Sequence, residues 1–136
     1  MISLILIFFA AIFNAIMDNI KTSWTNSIFS NINNKKWVAF ANPIVAYKNK
    51  WKNRDIKQGE KFFGSSTFLV WSQDFWHFAK MLMLFCFAFS ICLYIPLTTC
   101  FISSINAFFS HFLDGIIYLL VYTITFEIFY SKVFTK

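Results

Sequence analysis

Asp18, Asp74, His77, Lys80 and Glu127 are the residues of this chain whose types and spacing suit them to chemistry. Asp74, His77 and Lys80 recur every three residues, so a helix would present them over roughly 120° of its surface. Asp18 runs with Asn14, Lys21 and Thr25, which a helix gathers into a polar face only about 60° wide. Two carboxylates and an imidazole can hold a divalent cation or relay protons, and Glu127 could complete the set. The same residues can instead form interfacial ion pairs, Asp18 with Lys21 and Asp74 with Lys80, or reach out into water. His111 and Asp114 make a second pair at helical spacing. Two ligands do not fix a metal, and such a pair at a surface is ordinarily just solvated. Asp114 and Glu127 lie about 20 Å apart along a helix, too far to share one small site.

No catalytic signature accompanies these residues. H-E-x-x-H, G-x-S-x-G and G-x-x-x-x-G-K-[ST] are all absent. No metal and no cofactor is therefore expected, and the reading leans away from an enzyme without closing that option. Cys86, Cys92 and Cys100 match no zinc or redox spacing and are odd in number. They read as small hydrophobes.

The elements that must position the polar residues are apolar. Of 136 residues, 58% are hydrophobic and only 13% charged, about half the charged share of a soluble domain. This excludes disorder and describes a single all-α membrane domain spanning 1–136. The excess of Phe, Ile, Lys and Asn follows A/T-rich codons and carries no functional weight. The first apolar run, from Ile2 to Met17, lacks the basic start and cleavage site of a signal peptide. It predicts a retained helix over about 2–30, since Ile16, Ile20, Trp24 and Ile28 continue a four-residue stripe. The second helix is expected over about 66–95, begun by Gly64-Ser65-Ser66-Thr67 and stopped by Pro96. The third is expected over about 103–132, with 103–114 possibly a separate interfacial helix.

Between the first two helices, 31–63 is expected to be an interfacial loop. Asn31, Asn33 and Asn34 break the first helix and Pro43 forbids a continuous one. Lysines interleave here with Trp37, Phe40, Tyr47 and Trp51, a mixture suited to the headgroup layer. Lys48, Lys50, Trp51, Lys52, Arg54, Lys61, Ser65 and Ser66 are the expected contacts to lipid headgroups. Lys61 to Thr67 (KFFGSST) has the glycine, hydroxyls and helix start that can hold a phosphate, although ordinary capping needs the same residues. Single-stranded nucleic acid is the rival partner for cations among aromatics, and is disfavoured because the loop is tethered beside a membrane helix.

All twelve basic residues fall after the first helix begins to leave the membrane, at the start of the second, or after the third. The positive-inside rule then predicts three transmembrane helices, N-terminus out and C-terminus in. The block KNKWKNRD…GEKFFGSSTFLVWSQDFWHFAK from Lys48 to Lys80, with Asn14-Ala15…Asp18, resembles small uncharacterised integral membrane proteins of bacteria and their phages. The resemblance implies a bacterial cytoplasmic membrane and no particular activity. The expected role is a non-enzymatic accessory or scaffold that binds anionic lipid, a membrane-protein partner or a second copy of itself. The alternatives are a small lipid-modifying or metal-dependent membrane enzyme, and a holin-like or pore-forming protein.

Overall fold

Capping residues at the ends of apolar runs set the elements. The computed structural model describes residues 1–98 and 106–136, and its regular elements are helical. No strand forms among the described residues, only two isolated β-bridges. Helix α1 is Ile2–Thr22, α2 is Lys35–Ala41, α3 is Pro43–Ala46, α4 is Phe75–Cys92 and α5 is Ala107–Ile128. A π-helical segment, Phe129–Phe134, continues α5. Three helices are long and apolar enough to cross a membrane: Ile2–Thr22, Phe75–Cys92 and Ala107–Phe134.

Helix α1 ends at Thr22 rather than continuing to about residue 30. Local side-chain hydrogen bonds compete with the helix there. Thr22 Oγ1 donates back to Asp18 O (2.6 Å), and Ser27 Oγ donates to Trp24 O (2.8 Å) while accepting from Ser30 N. Two short 3-10 turns, Trp24–Asn26 and Ile28–Asn31, replace the expected helix. Helix α4 likewise begins at Phe75, not near Ser66. Asp74 is its N-cap, accepting from His77 N at 2.9 Å, and a carboxylate there also meets the positive end of the helix dipole. Asn106 caps α5 by accepting from Phe108 N (2.9 Å), so 107–114 belongs to the third helix. Residues 103–105 lie outside the described residues. Asn34 and Asn42 cap α2 and α3, and Pro43 takes the first position of α3, where its missing N–H costs nothing.

Helix α1 is the spine. Within its span 39% of residues are buried, against 11% in α4 and in α5. Its inner face repeats Ser3, Ile7, Ala11, Ala15 and Asn19 at four-residue spacing, all buried. Small side chains let backbones approach closely, which matters in lipid because apolar burial alone does not drive helices together. At the end where α1 starts, Ser3 Oγ donates to Leu93 O (2.8 Å) and Ser90 Oγ to Ser3 O (3.1 Å). Helices α1 and α4 are thus antiparallel, while α5 flanks α1 and touches α4 through Phe87–Tyr122 and Tyr94–Tyr118 ring contacts. Outward faces carry exposed apolar side chains such as Phe89, Ile91, Phe108 and Leu119.

At the other end the chain closes on itself. Asn19 Nδ2 donates to Thr135 Oγ1 (2.7 Å) across 116 residues of sequence. Lys136 N donates to Asn26 O (2.7 Å), and Lys136 Nζ to Ser30 Oγ and Asn31 Oδ1. Trp37, from α2, covers this end against Phe75 (ring centroids 4.8 Å) and donates its indole N–H to Phe29 O. Lys21, Lys80, Lys132, Lys136 and the whole 31–63 segment therefore gather here, so all twelve basic residues share one end of the bundle.

Candidate functional site

The basic end holds the candidate residues in two groups and leaves two outside. Asp74 caps α4 and also receives the His77 imidazole, with Nδ1 2.8 and 2.7 Å from its two carboxylate oxygens. The spacing that puts His77 at the third position of the helix brings both its backbone and its ring to the same carboxylate. The ion pairs Asp18–Lys21 and Asp74–Lys80, one expected alternative, do not form. The Lys80 and Lys21 ammonium groups stand over the Trp76 ring instead, 5.2 and 5.8 Å from its centroid. Among the described residues no Lys or Arg forms a salt bridge.

Asp18 turns toward α5, close enough to interact electrostatically with the Tyr122 and Tyr130 hydroxyls, and Glu127 also approaches Tyr130. Neither joins Asp74 and His77, and no trio of His, Cys, Asp or Glu converges among the described residues. A cavity of about 270 Å³ opens beside the Asp74–His77 pair, lined by Lys21, Ala41, Pro43, Ala46, Tyr47 and Trp76. The indole N–H of Trp76 is buried without a hydrogen-bond partner.

The basic loop is a tight hairpin closed by the Trp51–Glu60 bridge, with Lys52 N donating to Gly59 O and Lys61 N to Lys50 O. Asn53 and Arg54 turn its tip with positive φ of 50° and 63°. Lys48, Lys52, Arg54 and Lys61 are exposed; Lys50 and Trp51 are half-buried. Lys48 lies over Tyr47 and Lys50 over Trp51, at 5.6 and 5.5 Å. Apolar tips, Ile44, Ile56, Phe63 and Phe68, project from the same region, with Phe63 85% exposed.

Two expected headgroup contacts serve the fold instead. Ser65 is fully buried, its Oγ donating to Lys50 O (2.8 Å) and accepting from Lys61 N and Phe62 N. Ser66 Oγ donates to Glu60 Oε1, and Glu60 also accepts from Gly64 N (2.9 Å) and Ser66 N (3.3 Å). The cradle the KFFGSST run could offer to a phosphate is thus filled by the protein's own carboxylate. Gly64 is required twice over: its φ is +80°, and a Cβ there would stand 2.5 Å from the Phe68 ring.

The Ser66 hydroxyl, followed by the Gly64 amide, holds the Glu60 carboxyl below its ordinary value of 4.5. A depressed folded value means this contribution to loop stability is complete above pH 4.5 and is lost as pH falls through the lowered value. Amide exchange at Gly64 and Ser66 should accelerate over that acid range in the native protein. In Glu60→Gln the amides should exchange faster at neutral pH, with the acid dependence gone. Equal, pH-independent protection in both proteins would refute the role of Glu60.

Asp114 is the residue that sequence reasoning misjudged. It is 1% exposed and does not pair with His111, which is exposed and bonds Ala107 O. Its carboxylate accepts Tyr94 Oη (2.8 Å), Leu97 N (2.8 Å) and Thr98 N (3.0 Å). Thr98 Oγ1 in turn meets Ser110 Oγ at 2.5 Å. A fixed carboxylate locks the turn after α4 onto α5 at the end opposite the lysines. Ser110 and Asp114, four apart on an apolar helix, were the available signal. No family model matches this chain, and neither any curated protein nor any solved structure matches it.

Proposed function

We propose that the chain is an integral membrane protein of a bacterial-type cytoplasmic membrane, N-terminus out and C-terminus in. In this reading it is a non-enzymatic accessory or scaffold whose basic, aromatic end binds anionic lipid headgroups. One observation carries the reading: twelve cations share one end of an apolar bundle and none is neutralised by a carboxylate. Unpaired ammonium groups above aromatic rings match lipid phosphate on one side and the acyl boundary on the other. Ile44, Ile56 and Phe63 at the same end supply apolar area for insertion beside the headgroups.

Two measurements test it. In a protein whose native cysteines are replaced, Lys57→Cys should be labelled by an impermeant reagent only from the cytoplasmic side, and Ile95→Cys only from outside. Labelling of both from one side would remove a span, and reversed labelling would invert the orientation. Changing Lys48, Lys50, Lys52 and Arg54 together to Gln should weaken binding of anionic lipid to the detergent-solubilised protein at least about tenfold. Each cation near an anionic surface contributes on the order of 1 kcal/mol, and salt screens it. Lipid binding that is unchanged and insensitive to salt would turn the loop over to a protein partner.

An enzyme remains the second reading because Asp74 holds His77 as an orienting carboxylate holds a general base. However, no Ser, Thr or Cys lines the adjoining cavity to serve as a nucleophile.

A further inference from the structure

Four hydrogen-bond donors meet at the cavity between the end of α1, the α2–α3 pair and the start of α4. Lys21 lines it, and Lys80 stands over the same indole, the two ammonium groups 5.8 and 5.2 Å from one ring centroid. Like charges gathered at one ring repel unless an anion lies between or beside them. The nearest carboxylate is already engaged, both Asp74 oxygens being held by His77. With Nδ1 fixed by Asp74, the other imidazole nitrogen is the one left for a ligand. The buried Trp76 N–H has no acceptor in the protein, a loss of roughly 1–3 kcal/mol unless something else accepts from it. The remaining lining is apolar: Ala41, Pro43, Ala46 and the Tyr47 ring.

We propose that this cavity binds one anionic lipid by its phosphate monoester headgroup, with Lys21, Lys80, His77 and the Trp76 N–H around the phosphate. This rests on the membrane reading above and names a discrete site distinct from the exposed loop. A phosphate monoester carries close to two negative charges near neutral pH, matching two unpaired ammonium groups, where a diester would match one. The volume, about 270 Å³, is at the small end for ligand pockets. It takes a headgroup and its first carbons, and leaves the acyl chains to the bilayer. The alanines and proline then face the glycerol backbone, which explains an apolar wall beside cationic donors.

The test uses the full chain in detergent, titrated calorimetrically with dihexanoyl phosphatidic acid, with dihexanoyl phosphatidylcholine, and with inorganic phosphate. Saturable binding near one to one is expected for phosphatidic acid only. The double variant Lys21→Gln, Lys80→Gln should weaken it about a hundredfold, at about tenfold for each charge-assisted contact. Trp76→Phe keeps a ring beneath the lysines and removes only the N–H; it should weaken binding about fivefold to tenfold, and it serves if the double variant does not fold. The loop variant at Lys48, Lys50, Lys52 and Arg54 should retain this site. Wild-type affinity in both the Lys21/Lys80 and Trp76 variants overturns the proposal, as does equal binding of phosphatidylcholine. Inorganic phosphate binding as tightly as phosphatidic acid would make this a free-phosphate site and overturn the lipid assignment. Loss in the loop variant alone would leave the surface reading standing and the cavity site refuted; loss in the cavity variants alone would do the reverse.

Discussion

Asp114→Ala should lower the unfolding free energy of the detergent-solubilised protein by roughly 3–5 kcal/mol, the largest single-residue effect expected in this chain. The substitution strands three donors at once: Tyr94 Oη, Leu97 N and Thr98 N all lose their acceptor. Asp114→Asn should cost less, because one amide oxygen still accepts while its NH₂ faces a donor. Ser110→Ala removes only the Thr98 hydroxyl contact and should cost about 1 kcal/mol. Burial first, and then the bond to Asp114, push the Tyr94 hydroxyl up to about 12. A raised folded value means that Tyr94 stabilises fully below its ordinary value of 10, and that this stability is lost as pH rises through about 12. Thermal melts over this alkaline range should steepen in the native protein relative to Tyr94→Phe. A melt of Asp114→Ala indistinguishable from the native one would mean that water reaches this carboxylate and the turn is not locked.

Ala11→Leu should be nearly as damaging for the opposite reason. Ala11 is fully buried on the α1 face that packs against the neighbouring helices. Three added carbons have nowhere to go without forcing the helices apart, at about 1–3 kcal/mol, and separation would also stretch the Ser3–Leu93 and Ser90–Ser3 bonds. Ala11→Leu combined with Ala15→Leu should abolish a cooperative melt. Ile5→Leu, on an exposed face of the same helix, is the control and should be silent. If Ala11→Leu melts like the control, α1 is not the close-packed spine.

What was legible in the sequence is what depends on neighbours along the chain. Apolar runs disclosed three helices able to span a membrane, Pro43 divided α2 from α3, and the i, i+3 spacing placed His77 beside Asp74. What was not legible depends on residues far apart. Ser65, Ser66 and Asp74 were all competent N-caps; Lys50 O and Glu60 claim the two serines, leaving Asp74 to start α4. The α1 stripe continues to Ile28, yet its hydroxyl and amide side chains prefer local bonds, and the chain from Thr135 to Lys136 occupies the space alongside. The candidate cluster divided because Asp18 faces the α5 tyrosines, a choice made by helix rotation, which a list of polar residues does not contain. Asp114 read as solvated because its three donors come from the turn following α4, and nothing in a local window pairs them.

The bond from Asn19 to Thr135 has a consequence for biosynthesis. At about 5–20 residues per second, the intervening 116 residues take roughly 6–20 s to emerge from the ribosome. For that interval α1 is already made, with a buried-to-be carboxamide and a row of small side chains that have no mates. The bundle cannot be assembled in order of synthesis. Its first helix must wait in the bilayer for its last, and the nascent chain is open to capture by insertion factors, or by another copy, for as long as it waits.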